Sequence, residues 1–295
     1  MAKALIIGMG FGQAVYKPVL EQAGYEVITV DMDATKGADF TDVDEAIRVH
    51  GKFDTVNICT PNFTHIKLAR KVAVHSGIVF VEKPGVATKD AWQQLVTDYP
   101  NTRFMMVKNN QYRPDMKYFK SLADQSNEIN VIWNNKNRIP NPGSWFTNKS
   151  LAFGGVSRDL IPHMLSYYCA LTKYSEGSII SATAEQRHQL ADITDTDYGV
   201  VNYDGVYDVD DYCKLVFKAG KTTWNLIADW KNDLADDVYI SFGMNNSAVK
   251  VALGLCPAEA YGAMIAHAVS NIDNDAFWQE QLSQDLWIHQ QIENL

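Results

Sequence analysis

Up to about residue 110, the hydrophobic positions fall into five short apolar runs: KALIIG, YEVITVD, DTVNICT, IVFVEKP and RFMMVKN. Strands that are apolar almost throughout are buried on both faces, and their alternation with helix-like segments is the pattern of a parallel sheet with crossover connections. The intervening spacing predicts helices over 13–23, 42–50, 63–76 and 88–98. The first three are followed at once by Gly24, Gly51 and Gly77, which suits a helix stop because glycine accepts positive φ.

After about residue 120 the pattern changes to longer strands, INVIWNNKNR, SIISATAEQRH, DDYCKLVFKAG, TTWNLIADW and DVYISFGM. In TTWNLIADW, Trp224, Leu226, Ala228 and Trp230 face one way while Asn225, Ile227 and Asp229 face the other. Such strands in succession, two of them joined by the KAGK turn, predict an antiparallel sheet with helices at about 158–171 and 276–294. The chain therefore reads as α/β. It comprises a doubly wound parallel sheet of Rossmann type over 1–120, and an α/β domain over 121–295 with an open-faced, mainly antiparallel sheet. The last helix is expected to pack back on the first domain.

Composition narrows the function. A chain of 295 residues, 46% of them hydrophobic, can bury two cores. Its formal charge of -9, with no run of Lys and Arg, argues against nucleic acid and against an acidic membrane surface. The start MAKALIIGMG is no secretory leader and no apolar run is long enough to span a bilayer, so a soluble cytoplasmic protein is expected. Cys59, Cys169, Cys213 and Cys256 are scattered without a C-x-x-C pair, which suggests neither a disulfide framework nor a metal site.

The stretch ALIIGMGFGQAVYKP carries Gly8, Gly10 and Gly12 between a strand and a helix. This is where a dinucleotide-binding turn sits: the first glycine permits the turn, the second lets backbone approach a pyrophosphate, and the helix N-terminus attracts its charge. The spacing is G-x-G-x-G, with Gln13 where the fingerprint has its third glycine. Asp31 closes the second strand, placed to accept hydrogen bonds from adenosine ribose hydroxyls and to repel a 2'-phosphate. NAD is favoured over NADP, moderated by Lys36 nearby. Thr60, Pro61 and Asn62 end the third strand where a ligand crevice lies. His65 can be a cofactor contact or an ordinary first-turn helix residue, and Lys83, held out of helical geometry by Pro84, can be a crevice residue or a solvated surface lysine.

The glycine turn, TPNFTH, EKP and the later GGVSRDLIPH occur in an order that resembles the Gfo/Idh/MocA family of nicotinamide-dependent oxidoreductases, named after glucose-fructose oxidoreductase and inositol 2-dehydrogenase. The likeness runs over essentially the whole chain. Some members carry G-x-G-F-G with a later proline, as in GMGFGQAVYKP; the common D-x-G-x-H reads here Asp159, Ile161, His163. The resemblance implies cofactor contacts from Gly8, Gly10, Phe11, Gly12, Asp31, Thr60, Pro61, Asn62, His65, Glu82 and Lys83. It also implies a catalytic set in which His163 handles the hydroxyl proton, Lys83 hydrogen-bonds the reacting oxygen and Asp159 binds a neighbouring hydroxyl or orients the other two.

Asp159 and His163 are four apart, on one face of a helix whose first turn must hold Pro162. Either Asp159 or Ser157 could cap that helix. Arg113, Trp145 and Arg158 are further candidates for substrate contact, against plainer roles in support, packing and a surface salt bridge. The function so implied is hydride transfer between NAD, or NADP, and a secondary alcohol or carbonyl of a polyol or sugar. A non-catalytic metabolite sensor or a reductase of a non-sugar carbonyl or imine are the alternatives. A homodimer or homotetramer through the open sheet is expected, because an exposed sheet face has to be covered. Gln13 and Pro18 predict that the first crossover differs locally from a standard one.

Overall fold

The five apolar runs form one all-parallel sheet in the computed structural model, in which residues 1–295 are described except 233, 246 and 294. The strands are β1 (Lys3–Ile7), β2 (Glu26–Val30), β3 (Phe53–Ile58), β4 (Ser76–Val81) and β5 (Arg103–Met106), in the order β2-β1-β3-β4-β5. The helices between them are α1 (Lys17–Gln22), α2 (Val43–His50), α3 (His65–Val72) and α4 (Lys89–Asp98). The strand order reverses between β1 and β3, so the loops leaving their carboxyl ends flank a topological switch point, the place where open α/β sheets bind ligands. Those loops are the glycine turn and TPNFTH.

The first crossover is irregular in the way its sequence demands. Residues Gly12–Tyr16 form a π-turn, closed by the Lys17 N–H donating to the Gly12 carbonyl five residues back, before α1 begins with Pro18 in its first turn. A proline supplies no N–H, so a wider turn ahead of it avoids a broken α-helical ladder. A β-carbon built on Gly12 would lie 2.6 Å from Ile6 Cγ2, which makes this glycine the point of contact between helix and strand. Gln13 is exposed. The close-packing glycine thus stands one residue early.

The chain divides into two compact units, Met1–Tyr112 with Pro257–Gln290, and Arg113–Cys256 with Gln291–Leu295. The first unit includes α9 (Ala258–Ser270) and, as far as Gln290, α10 (Asp275–Glu293), two helices from the end of the chain. A buried charge explains the attachment of α10. Asp285, 0% exposed, accepts the Met106 N–H at 3.0 Å and pairs with the Lys108 ammonium, itself 1% exposed. Neither charge could be buried without the other.

The second unit holds a six-stranded sheet ordered β11-β10-β6-β9-β8-β7: β6 (Glu128–Asn134), β7 (Ser178–Glu185), β8 (Tyr212–Ala219), β9 (Thr222–Asp229), β10 (Asp237–Met244) and β11 (Ser247–Ala252). All its pairs are antiparallel except β6 with β9. Alternation fixes its faces: Cys213, Leu215, Phe217, Trp224, Leu226 and Ala228 are fully buried, each large side chain contributing about 1.5–3 kcal/mol. The helices of this unit are α5 (Met116–Ala123), α6 (Lys149–Ala152), α7 (Val156–Asp159) and α8 (Ile161–Leu171). The other face carries half-exposed Ile227 and Tyr239 beside a polar ladder in which Asn225 donates to Asn130 (2.8 Å) and Asn130 to Ser241 (3.1 Å). Among the described residues, no helix is long and apolar enough to cross a membrane.

Candidate functional site

Gly8 leaves β1 with φ +97°, and a β-carbon there would sit 2.8 Å from the Cys59 carbonyl, so the turn accepts glycine alone. Gly10 is exposed, with nothing within 4 Å of a β-carbon built on it, which leaves its backbone open to a ligand. Phe11 is 44% exposed at the start of the helix. Asp31 accepts the Met9 N–H at 2.7 Å through one oxygen and the Asp33 N–H at 2.9 Å through the other. A carboxylate offers about four acceptor sites, so these bonds anchor it to the glycine turn while leaving lone pairs for hydroxyl donors. An open glycine, a helix start and an anchored acid fit the pyrophosphate and ribose of a dinucleotide.

The loops after β3 and β4 are tied into the same turn. Tyr16 donates its hydroxyl to Glu82 at 2.7 Å; burial, and then the Glu82 carboxylate, push the phenol's pKa up and keep it a donor. Thr60 shares a hydroxyl hydrogen bond with Thr64 at 2.6 Å, and the Pro61 carbonyl accepts the Thr64 N–H at 2.9 Å. Asn62 begins the single turn that leads into α3. His65 is fully buried, its Nδ1 2.7 Å from the Gly85 carbonyl and its Nε2 2.7 Å from the Thr60 carbonyl. Burial lowers its pKa, the two carbonyls pull it back up, and the Lys83 ammonium lowers it again, for a net depression. His65 thus links TPNFTH to EKPG, and its ring faces protein carbonyls. Lys83 stands half-buried between Glu82 and a cis bond to Pro84.

In the second unit, α7 and α8 follow one another with only Leu160 between, Pro162 falling in the first turn of α8. Neither Ser157 nor Asp159 caps α8, whose N-cap position is Leu160; both lie in α7, the start of which is capped from elsewhere. The carboxylate of Asp210 accepts the N–H groups of Gly155 (2.9 Å) and Ser157 (2.7 Å) and the Ser157 hydroxyl (2.9 Å). Asp159 instead accepts the Trp230 indole N–H at 3.1 Å, and His163 stacks on Trp133, with ring centroids 6.1 Å apart and planes 28° off parallel. An acid and an imidazole on successive turns, each seated on a tryptophan, can address neighbouring oxygens of one ligand.

The model of the family described as "Oxidoreductase family, NAD-binding Rossmann fold" (Gfo/Idh/MocA) matches residues 2–105. The nucleotide-binding domain belongs to the Gfo/Idh/MocA family. The chain is 27% identical over 179 residues to a putative UDP-kanosamine synthase oxidoreductase subunit of Amycolatopsis mediterranei (strain S699), an alignment covering 55% of this chain and 49% of that protein. The chain thus spans about half the length of the curated relative it matches. Solved structures share its fold, among them the following two. GenD2 from gentamicin A biosynthesis, in complex with NAD, has a TM-score of 0.73 and 18% identity, over 99% of this chain and 92% of that one. A myo-inositol dehydrogenase from Corynebacterium glutamicum ATCC 13032 has a TM-score of 0.71 and 13% identity, over 98% and 94%.

The remaining candidates are drawn into the protein's own fabric. Arg113 bonds Asp115 (3.2 Å) and the Gly254 carbonyl (3.3 Å), with 9% of its side chain exposed. Trp145 stacks on Phe146 at 3.8 Å between centroids. Arg158 is desolvated, which lowers its pKa against the pull of Glu293 and Asp210. Among the described residues no cluster of His, Cys, Asp and Glu could hold a metal ion. Sequence reasoning missed Asp210, Trp230 and Tyr16. The run DVDD resembled the approach to a strand, and no local pattern tells an aspartate that caps a helix 53 residues away from one in solvent.

Proposed function

We propose that the chain is an NAD-dependent oxidoreductase acting between a secondary alcohol and the corresponding carbonyl of a polyol, sugar or sugar derivative. The observation that carries this reading is the Asp159–His163 pair, at the junction of α7 and α8, half-buried and oriented by Trp230 and Trp133. A bound nicotinamide supplies or accepts the hydride. Gly8, Gly10, Phe11, Gly12 and Asp31 would hold the dinucleotide, with Thr60, Pro61, Asn62 and Glu82 beside it; His65 would act by fixing the loops. The His163 imidazole takes the hydroxyl proton on oxidation and returns it on reduction. The Lys83 ammonium donates a hydrogen bond to the reacting oxygen as negative charge develops there. Asp159 accepts from a neighbouring hydroxyl. That other proteins of this fold are a myo-inositol dehydrogenase and a protein of gentamicin A biosynthesis supports a polyhydroxylated substrate. The half-exposed Ile227 and Tyr239 and the asparagine ladder between strands favour a second copy of the chain over the open sheet face.

The test is turnover of myo-inositol, D-glucose and UDP-glucose with NAD, followed by NADH absorbance. His163→Ala is expected to lower kcat at least a hundredfold, within the range of general acid–base catalysis, while leaving NAD affinity unchanged. Tight NAD binding with no turnover of any of the three would favour a metabolite sensor.

A further inference from the structure

One end of the second unit's sheet carries a third polar group beside Asp159 and His163. Trp133 on β6, beneath His163, pairs with Ala228 on β9. Trp230, which holds Asp159, donates its backbone N–H to the Asp211 carbonyl at 3.0 Å and so extends the β8–β9 ladder by one pair. Positions 211 and 230 are therefore directly opposite, and by alternation their side chains share the face of Cys213 and Ala228. Asp211 is fully buried and holds His188: its carboxylate lies 3.1 Å from His188 Nδ1. The holders of His163, Asp159 and His188 thus stand at the same end of neighbouring strands, Trp133 on β6, Trp230 just past β9 and Asp211 just before β8.

The Asp211 carboxylate needs no imidazole to be satisfied. It accepts the backbone N–H of Arg187 (2.9 Å), the backbone N–H of His188 (2.9 Å) and the Tyr207 hydroxyl (2.9 Å). A carboxylate only accepts, so Nδ1 carries a proton, and in the neutral imidazole Nε2 is then the acceptor. The His188 side chain is 21% exposed, and among the described residues Nε2 has no hydrogen-bond partner.

We propose that His188 is a substrate-binding residue whose Nε2 accepts a hydrogen bond from a hydroxyl near the reacting carbon, with Asp211 fixing the tautomer. The proposal rests on reading Asp159 and His163 as the substrate site. Two acceptors in a row, His188 Nε2 and the Asp159 carboxylate, select an uncharged part of the ligand with adjacent hydroxyls and disfavour a carboxylate or phosphate there.

The experiment uses the full chain with NAD and whichever of myo-inositol, D-glucose and UDP-glucose it turns over best. His188→Asn keeps a donor for Asp211 and removes the outward nitrogen. KM is expected to rise about tenfold, the worth of one hydrogen bond of roughly 1.4 kcal/mol, with kcat within about twofold of wild type. His188→Gln, which restores a polar atom near the Nε2 position, should recover part of the loss. On the unmutated protein, diethylpyrocarbonate should modify His188, and saturating substrate should slow that modification. An unchanged KM in His188→Asn, or modification as fast with substrate as without, overturns the assignment of His188 if His163→Ala is inactive. No wild-type turnover, or an active His163→Ala, overturns the underlying reading as well.

Discussion

Substituting alanine at each of the three glycines of the first turn should separate folding from binding. At Gly12 the added methyl meets Ile6 Cγ2 at 2.6 Å, and Ile6 is a fully buried strand residue whose branched side chain has no free end to swing away. Overpacking of this kind costs about 1–3 kcal/mol, or about 2–12 °C in Tm for a protein of this size. At Gly8 the methyl meets backbone, the Cys59 carbonyl at 2.8 Å, and φ of +97° adds roughly 1–2 kcal/mol of conformational strain, so Gly8→Ala should be the least stable of the three. At Gly10 the methyl meets nothing. Gly10→Ala should unfold within about 1 °C of wild type yet bind NAD about tenfold more weakly, because the methyl takes space needed for backbone approach to the pyrophosphate. Thermal unfolding followed by circular dichroism reads the first quantity, and quenching of protein fluorescence by NAD the second. A Gly12→Ala protein as stable as wild type would remove the helix–strand contact assigned to this glycine, and a Gly10→Ala protein with wild-type NAD affinity would remove the pyrophosphate from this turn.

Other substitutions test the remaining parts. Asp31→Ala should weaken NAD about tenfold through lost ribose hydrogen bonds while affecting NADP less; an unchanged NAD to NADP affinity ratio would exclude the ribose role. Even then the preference should not invert, since Asp33, whose pKa is lowered by hydrogen bonds from Thr35, stays anionic nearby. Trp230→Phe keeps the ring but removes the N–H from Asp159, and kcat should fall about three- to tenfold with NAD affinity unchanged; steady-state kinetics reads both. His65 predicts a pH dependence of stability. Its folded pKa is depressed, so below about 6.5 the unfolded state binds more protons and stability falls as pH drops from there through the folded pKa. In urea unfolding at a series of pH values, His65→Gln should flatten that slope, and an equally steep slope in the variant would assign it to other groups.

Fold class was legible because it follows from two periods in the sequence. Apolar runs such as DTVNICT can be satisfied only by burial on both faces, and the alternation of Trp224, Leu226, Ala228 and Trp230 only by burial on one. Some elements escaped. The helix Ala258–Ser270 is apolar over much of its surface and lacks a polar cap, since Pro257 precedes it, so neither amphipathic spacing nor a start signal announces it. The return of the last helix to the first domain was an expectation without a cause, because the cause is long-range: Asp285 is an ordinary helix acid until Lys108 is seen to be buried against it, 177 residues away.

The candidate site shows the same division between local and distant causes. The glycines, Asp31 and the four-residue spacing of Asp159 and His163 are local, and each is recognisable from residues within one turn or one strand. What orients them is not local. Asp159 is oriented by the indole N–H of Trp230, 71 residues away, and the start of α7 is capped by Asp210, which reaches it because the approach to β8 passes there. The missing third glycine follows the same logic in reverse. A one-residue gap in the motif looks like a lost contact along the chain, whereas the π-turn over Gly12–Tyr16 moves the helix–strand contact back to Gly12 and turns Gln13 outward. Linear spacing therefore undervalues a site whose parts are set by turns of variable width and by caps from distant segments; for this chain the quantity that decides is which atom a β-carbon or a carboxylate actually meets.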